Sequence, residues 1–230
     1  MSDRACHIEH FYELLKQLEN RVGGKRQLST CNWNMGWPNR GVYFFFENGE
    51  YRSTSDSELR VVRVGTHAVN ANSKSRLWNR LYEHKQDGGR SVFRNHVNAA
   101  LKSRSERNQD HNHSRCISNY VGDMPFLWIN VDGKDGHLKR RKIESNAIAL
   151  LSHRTRGVVD KPSKRWLGHS SDNASIKRSG LWNVQHTKSK YDPRFLDLLK
   201  NCVNETGKLT ELDSDWDSPA CLSDINGPRS

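Results

Sequence analysis

No two of the five cysteines (Cys6, Cys31, Cys116, Cys202 and Cys221) stand at the CxxC spacing of a zinc knuckle or a redox pair. Their odd number and wide scatter argue against a disulfide framework, so they read as reduced thiols and the expected compartment is cytoplasmic. No apolar run is long enough for a signal peptide or a membrane span. No internal repeat is visible. Acidic residues are also scarce until the very end. From Asn204 onward there are six acids and two bases, so residues 1–203 carry +15 of a chain whose net charge is +11.

What is present is basic and aromatic. Hydrophobic residues make up 34% of the chain, enough for a core when seven Trp, seven Phe and six Tyr contribute to it. At 230 residues the chain holds one medium domain with extensions, or at most two small ones. Thirty-five Lys and Arg within residues 1–203 point to a polyanion partner, because releasing counterions from nucleic acid makes dense positive charge a main source of affinity.

The segment Arg40 to Thr66 organises the rest. Val42 to Phe46 is β-branched and aromatic on both faces, which predicts a central strand. Asn48-Gly49 predicts a turn after it. Leu59 to Val64 predicts a second strand, with Leu59, Val61 and Arg63 on one face and Arg60, Val62 and Val64 on the other. Tyr43 then lies in a core strand with a hydroxyl that needs a partner. Before this segment, Ile8, Phe11, Leu14, Leu15 and Leu18 recur at helical spacing, and Gly23-Gly24 ends that helix. After it, Ser75 to about Gln86 predicts a helix with Ser75 as N-cap. On that helix Leu77, Trp78, Leu81 and Tyr82 form the apolar stripe, with Arg76, Arg80 and His84 in a row along its side.

Ser91 to Leu101 predicts another helix, with Val92, Val97 and Leu101 inward. Lys102 to Asn119 reads as a polar loop. It crowds His111, His113 and Cys116 together, but one tight cluster without a second half reads as a mobile loop rather than a zinc site. Met124 to Val131 predicts a third strand. Leu138 to His153 predicts a helix whose stripe is Ile143, Ala147, Leu150 and Leu151, with the carboxylate of Glu144 on its inward edge, where it needs a cation. Pro193 to Val203 predicts a last short helix, and the acidic end beyond it reads as a mobile tail.

In that order, Gly41-Val42-Tyr43, Arg63-Val64-Gly65, the helix pair Arg80 and His84, and the late carboxylate Glu144 resemble the GIY-YIG nuclease superfamily. The resemblance covers roughly Arg40 to Asn183. It implies an α+β fold, with a small three-stranded antiparallel sheet flanked by helices. The expected division is an N-terminal helical extension over 1–39, the nuclease domain with insertions over 40–203, and a tail over 204–230. The implied activity is metal-dependent DNA endonuclease cleavage, most like the stand-alone, restriction-endonuclease-type members.

The resemblance also implies roles. Glu144 holds Mg²⁺ or another divalent cation such as Mn²⁺. Arg80 clamps the scissile phosphate with its planar fork. Tyr43 accepts the proton of the attacking water as phenolate, with His84 as helper or alternative base. Arg63 occupies the place of the second signature tyrosine, and its fixed charge favours the ionised Tyr43. Asn183 is the candidate for a late asparagine of the family, with Asn173 and Arg165 as alternatives. The partner is double-stranded DNA, bound by a homodimer if both strands are cut. Two rival readings are a catalytically decayed nucleic-acid-binding module and a metal-finger nuclease built around His96 to His113.

Overall fold

The computed structural model describes residues 3–67, 75–87, 90–105, 113–153 and 160–207; for 113–116 it describes only the backbone. The acidic segment beyond 207 and the residues His111 and Cys116, singled out above, fall outside what is described, apart from the backbone at 116.

One antiparallel sheet forms the centre. Its strands are β1 (Arg26–Gln27), β2 (Gly41–Tyr51), β3 (Leu59–Thr66) and β4 (Pro125–Asn130), in the spatial order β1-β4-β2-β3. The sheet therefore has four strands rather than three. The added strand is only two residues long, pairing Arg26 with Phe126 and Gln27 with Pro125, too short for any periodic pattern to announce it. β2 is central and buried on both faces, as its run of aromatics demands. Asn48-Gly49 does not end β2. The strand runs through it with a shifted register, and the reversal falls later, where the Arg52 N–H bonds the Glu58 carbonyl.

Helices cover both faces. On one lie α1 (Asp3–Val22), α5 (Gly136–Leu151) and α7 (Phe195–Glu205). Phe11 of α1 packs edge-on against Phe44 of β2 and, with tilted rings, against Phe195 of α7, so the N-terminal helix belongs to the same core as the sheet. Gly23 and Gly24 both take positive φ, which stops α1 where few other residues would. The opposite face is covered by α2 (Leu77–Lys85), α3 (Val92–Ser105) and α4 (His113–Gly122). There Phe45 of β2 meets Phe93 of α3, and Trp37 stacks on Trp78 of α2. A short helix α6 (Ala174–Ser179) follows α5.

Several boundaries move. α2 starts at Leu77: its N-cap is Arg76, one residue after Ser75, and no side chain caps it. α3 extends through Ser105, and its inward residues are Phe93, Val97 and Ala100, while Val92 is 57% exposed. The polar stretch read as loop contains the end of α3 and most of α4, whose few apolar residues are separated by polar ones. At the other end α7 continues through Glu205, and buried Thr206 receives the Asn130 N–H and donates to the Cys202 carbonyl.

Candidate active site

Tyr43 and Gly65 face each other across the β2–β3 pair, as do Phe45 and Arg63, so all four lie on the α2–α3 face of the sheet. A Cβ added at Gly65 would run into the Tyr43 ring and hydroxyl. Glycine at 65 is what lets the phenol lie flat across the neighbouring strand. Gly41 has the same kind of reason, since a Cβ there would collide with the Ile129 carbonyl of β4 and crowd Leu77 at the start of α2. The glycines flanking the two signatures are thus set by close approach, one for the tyrosine and one for the helix that must reach it.

The basic row on α2 descends into the protein. Arg76 is exposed, Arg80 half-buried and His84 fully buried. At its bottom the His84 Nε2 lies 2.7 Å from the Tyr43 hydroxyl, with the two rings edge to face. His84 Nδ1 lies 2.7 Å from the hydroxyl of Ser91. Burial holds the His84 imidazole well below its usual range, and Arg63, Arg80 and Arg94 push the same way. Arg94 also fixes the ring's backbone, because its guanidinium donates to the His84 and Lys85 carbonyls at the end of α2.

Two arginines close on the tyrosine. Arg63 lies over the Phe93 ring at 4.6 Å and donates to the Trp182 carbonyl at 3.0 Å. Burial lowers its guanidinium from the usual value, and Tyr43 acts in the other direction. Burial also acts to lower Arg80, but Tyr43 and Glu83 outweigh it, and the net effect is upward. Both guanidinium groups lie near enough to the Tyr43 hydroxyl to feel its charge.

Glu144, from the middle of α5, reaches the same place beside Thr66 at the end of β3. Burial raises its carboxyl above the usual range, while Arg63, a hydrogen bond from the Thr66 backbone, Arg80 and Arg141 pull it partly back. No ion pair among the described residues includes it. Tyr43, Arg63, Arg80, His84 and Glu144, spread over 102 positions of sequence, thus form one constellation.

Asn183 is placed differently. Its side-chain oxygen accepts the Val64 N–H at 3.0 Å and its amide donates to the Val64 carbonyl at 2.8 Å. With the Trp182 N–H bonded to the Val62 carbonyl at 2.7 Å, this segment occupies the free edge of β3. The Asn183 amide therefore positions the strand that bears Arg63. Asn173 caps α6 by accepting the Ser175 N–H.

The whole arrangement brings the two strand signatures, the helix pair and the late glutamate together in one place. A family model described as a GIY-YIG domain matches residues 2–209. The chain belongs to the GIY-YIG family. The match begins before α1 and runs past α7, over the same span that shares the core. No curated protein and no solved structure matches the chain. Membership places it among nuclease domains that act on DNA. Among the described residues no helix is long and apolar enough to cross a membrane.

Sequence reasoning missed Ser91 as a member of the site. A serine ahead of an apolar run signals a helix N-cap, and nothing in its spacing points to a histidine on another helix.

Proposed function

We propose that this GIY-YIG protein is a divalent-metal-dependent DNA endonuclease of the restriction-endonuclease type, cutting duplex DNA as a homodimer. The observation that carries the reading is the Tyr43 hydroxyl, 2.7 Å from His84 Nε2 and faced by Arg63 and Arg80 beside the carboxyl of Glu144. Such a cleft has a proton acceptor, two fixed cations for a phosphate, and one carboxylate.

The residues fit a hard divalent cation. Mg²⁺ is commonly held by one or two carboxylates, with waters and substrate phosphates completing its shell, so the lone Glu144 is a sufficient protein ligand. A cluster of three or more His, Cys, Asp or Glu is absent among the described residues, which fits this mode better than an all-protein cage. When bound, Mg²⁺ or Mn²⁺ supplies Lewis-acid stabilisation of the charge that develops on the leaving oxygen. Arg80 holds the scissile phosphate and neutralises its developing charge. Tyr43 takes the proton of the attacking water. Arg63 is anchored on Phe93 and Trp182, so its charge is fixed near both Tyr43 and the phosphate.

The test is cleavage of plasmid DNA with and without Mg²⁺, followed by sequencing the ends produced from a mixed DNA library. Metal-dependent ends at one sequence support the reading. Tight, strongly salt-dependent binding with no cleavage in any divalent metal would instead make the chain a binding module. Sedimentation of the DNA complex tests the dimer: a monomer performing concerted double-strand cleavage would contradict it.

A further inference from the structure

Ser91, immediately before α3, is fully buried. Its hydroxyl oxygen accepts the Arg94 backbone N–H at 3.2 Å, which makes it the N-cap of that helix. The same oxygen lies 2.7 Å from His84 Nδ1, and His84 Nε2 lies 2.7 Å from the hydroxyl of fully buried Tyr43. The row Ser91–His84–Tyr43 is closed to water at the imidazole, so both ring nitrogens and the Ser91 hydroxyl must find their partners within the row.

A neutral imidazole has one N–H and one bare nitrogen, and which is which follows from its partners. Suppose Nδ1 carried the hydrogen. Ser91 Oγ would then accept from both Arg94 and His84, and its own buried O–H would have no acceptor among the described residues. If Nδ1 is bare, the Ser91 O–H donates to it and both ring nitrogens are matched. The one hydrogen left without an acceptor in the row is then that of Tyr43, at the end beside Arg63 and Arg80 where the proposed reaction takes place, and not that of Ser91 at the sealed end. Nε2 then carries the hydrogen and donates to the Tyr43 oxygen, beside which Arg63 and Arg80 also lie. In this arrangement the tyrosine oxygen accepts from His84 with two guanidinium groups nearby, and it meets no acceptor among these neighbours.

We propose that Ser91 is a positioning residue that fixes His84 as the Nε2–H tautomer, making His84 a hydrogen-bond donor to Tyr43 rather than a base toward it. The role rests on the nuclease reading above. In the step it serves, the tyrosine oxygen enters as phenolate and forms an O–H bond with a proton of the attacking water. The water oxygen bonds phosphorus while the bond from phosphorus to the leaving oxygen breaks, and that oxygen takes a proton from solvent. Tyr43 later returns its proton to solvent. His84 keeps its one hydrogen throughout, since accepting a second would place an imidazolium among Arg63, Arg80 and Arg94.

The experiment combines nitrogen NMR of the full-length protein labelled with ¹⁵N-histidine and single-turnover cleavage with Mg²⁺. In the wild-type protein His84 is expected to show a bare Nδ1 and a protonated Nε2. Ser91→Gly removes the hydroxyl but retains a residue that N-caps well, so α3 should stay folded. It is expected to mix or invert the tautomer and to slow cleavage about tenfold to hundredfold with DNA affinity unchanged. Ser91→Thr, which keeps the hydroxyl, is expected to restore both signals. A protonated Nδ1 in the wild type overturns the proposal, as does a folded Ser91→Gly protein that cleaves at the wild-type rate. A wild-type protein that cuts no DNA removes the reaction and so the role, and the nitrogen signals then report the tautomer independently of that failure.

Discussion

Arg60 and Arg63 stand three residues apart on one strand, yet their surroundings are opposite. Arg60 is buried and donates from Nε and Nη2 to one oxygen of Glu50 at 2.9 and 2.6 Å, and from Nη1 to the Gly180 carbonyl. Glu50 is completed by the backbone and hydroxyl of Ser163. Nearby Arg52 is matched just as fully, by Glu9, Glu58 and Asp160. Arg63 has no ion pair among the described residues. It has a carbonyl, an aromatic face and a buried Nε without a partner among them. Arg80 pairs with Glu83, an accessible neighbour on its own helix, which is a weak contact in water. At one end of the hairpin each cation is cancelled by a carboxylate built in beside it. At the other end Arg80 has only the accessible Glu83 as a pair, Arg63 has none among the described residues, and both lie in the field of Glu144, so neither is cancelled by a buried carboxylate and both can answer a phosphate. A cation that serves stability is neutralised within the fold, while one that serves binding is held in place by neutral partners.

The sharpest way to break this comparison is at the one carboxylate of the cleft. Glu144→Gln keeps the shape and removes the charge that attracts the metal. Cleavage is expected to fall by several orders of magnitude, because the leaving oxygen loses its stabilisation. DNA affinity should persist or rise, since a negative charge leaves a phosphate-facing surface. Single-turnover cleavage, a binding titration and thermal melting together check it. Near wild-type cleavage by a well-folded Glu144→Gln protein would end the proposed mechanism.

The paired arginine should fail differently. Arg60→Leu leaves Glu50 buried without its cation, and the expected loss is about 3–5 kcal/mol of stability, measured by chemical denaturation. Arg63→Leu strands no carboxylate in an ion pair. Its stability should change by about 1 kcal/mol or less while cleavage falls steeply. Equal losses of stability in the two variants would erase the distinction between the ends of the hairpin.

Much of this was legible in the chain itself. Aromatic and β-branched residues made β2 and β3 plain, and a helical row put Arg80 and His84 on one side of α2. What stayed hidden depends on contacts between elements distant in sequence. The register shift around Asn48-Gly49 uses the positive φ of Gly49 inside a strand rather than at a turn. β1 exists only because β4 offers it an edge. Asn183 carries a residue type suited to a site, yet its amide serves the edge of β3, 119 residues away along the chain. Ser91 carried no signal beyond helix capping, because its second partner lies on a different helix.

A pH titration should sharpen the contrast between buried neutral and buried charged groups. Burial lowers His67 and His153 to about 4, and His84 lies well below its usual range. Their folded-state values lie below the unfolded value of 6.5. Between those limits the unfolded chain binds more protons, so stability is complete above about 6.5 and declines as pH falls toward 4. The slope approaches about 1.4 kcal/mol per pH unit for each histidine. Denaturation midpoints that do not change over this range would mean that the imidazoles are not held neutral by burial.

The smallest expected effect tests the unusual residue itself. Arg63→Tyr restores the aromatic that the second signature has in other members of the family. Tyrosine suits a strand and can lie against Phe93, so the fold and the melting temperature should change little. The charge beside Glu144 is lost, however, and Arg63 is the largest of the influences that hold that carboxyl down against burial. Without it the carboxyl rises further, and metal must compete with a proton up to a higher pH. The rising limb of the pH–rate profile should therefore move upward, while the rate well above that limb approaches that of the parent. If Mg²⁺ affinity shifts along the same pH axis, the displacement belongs to Glu144. A profile that does not move would leave Arg63 a structural residue, held by Phe93 and Trp182 for packing alone.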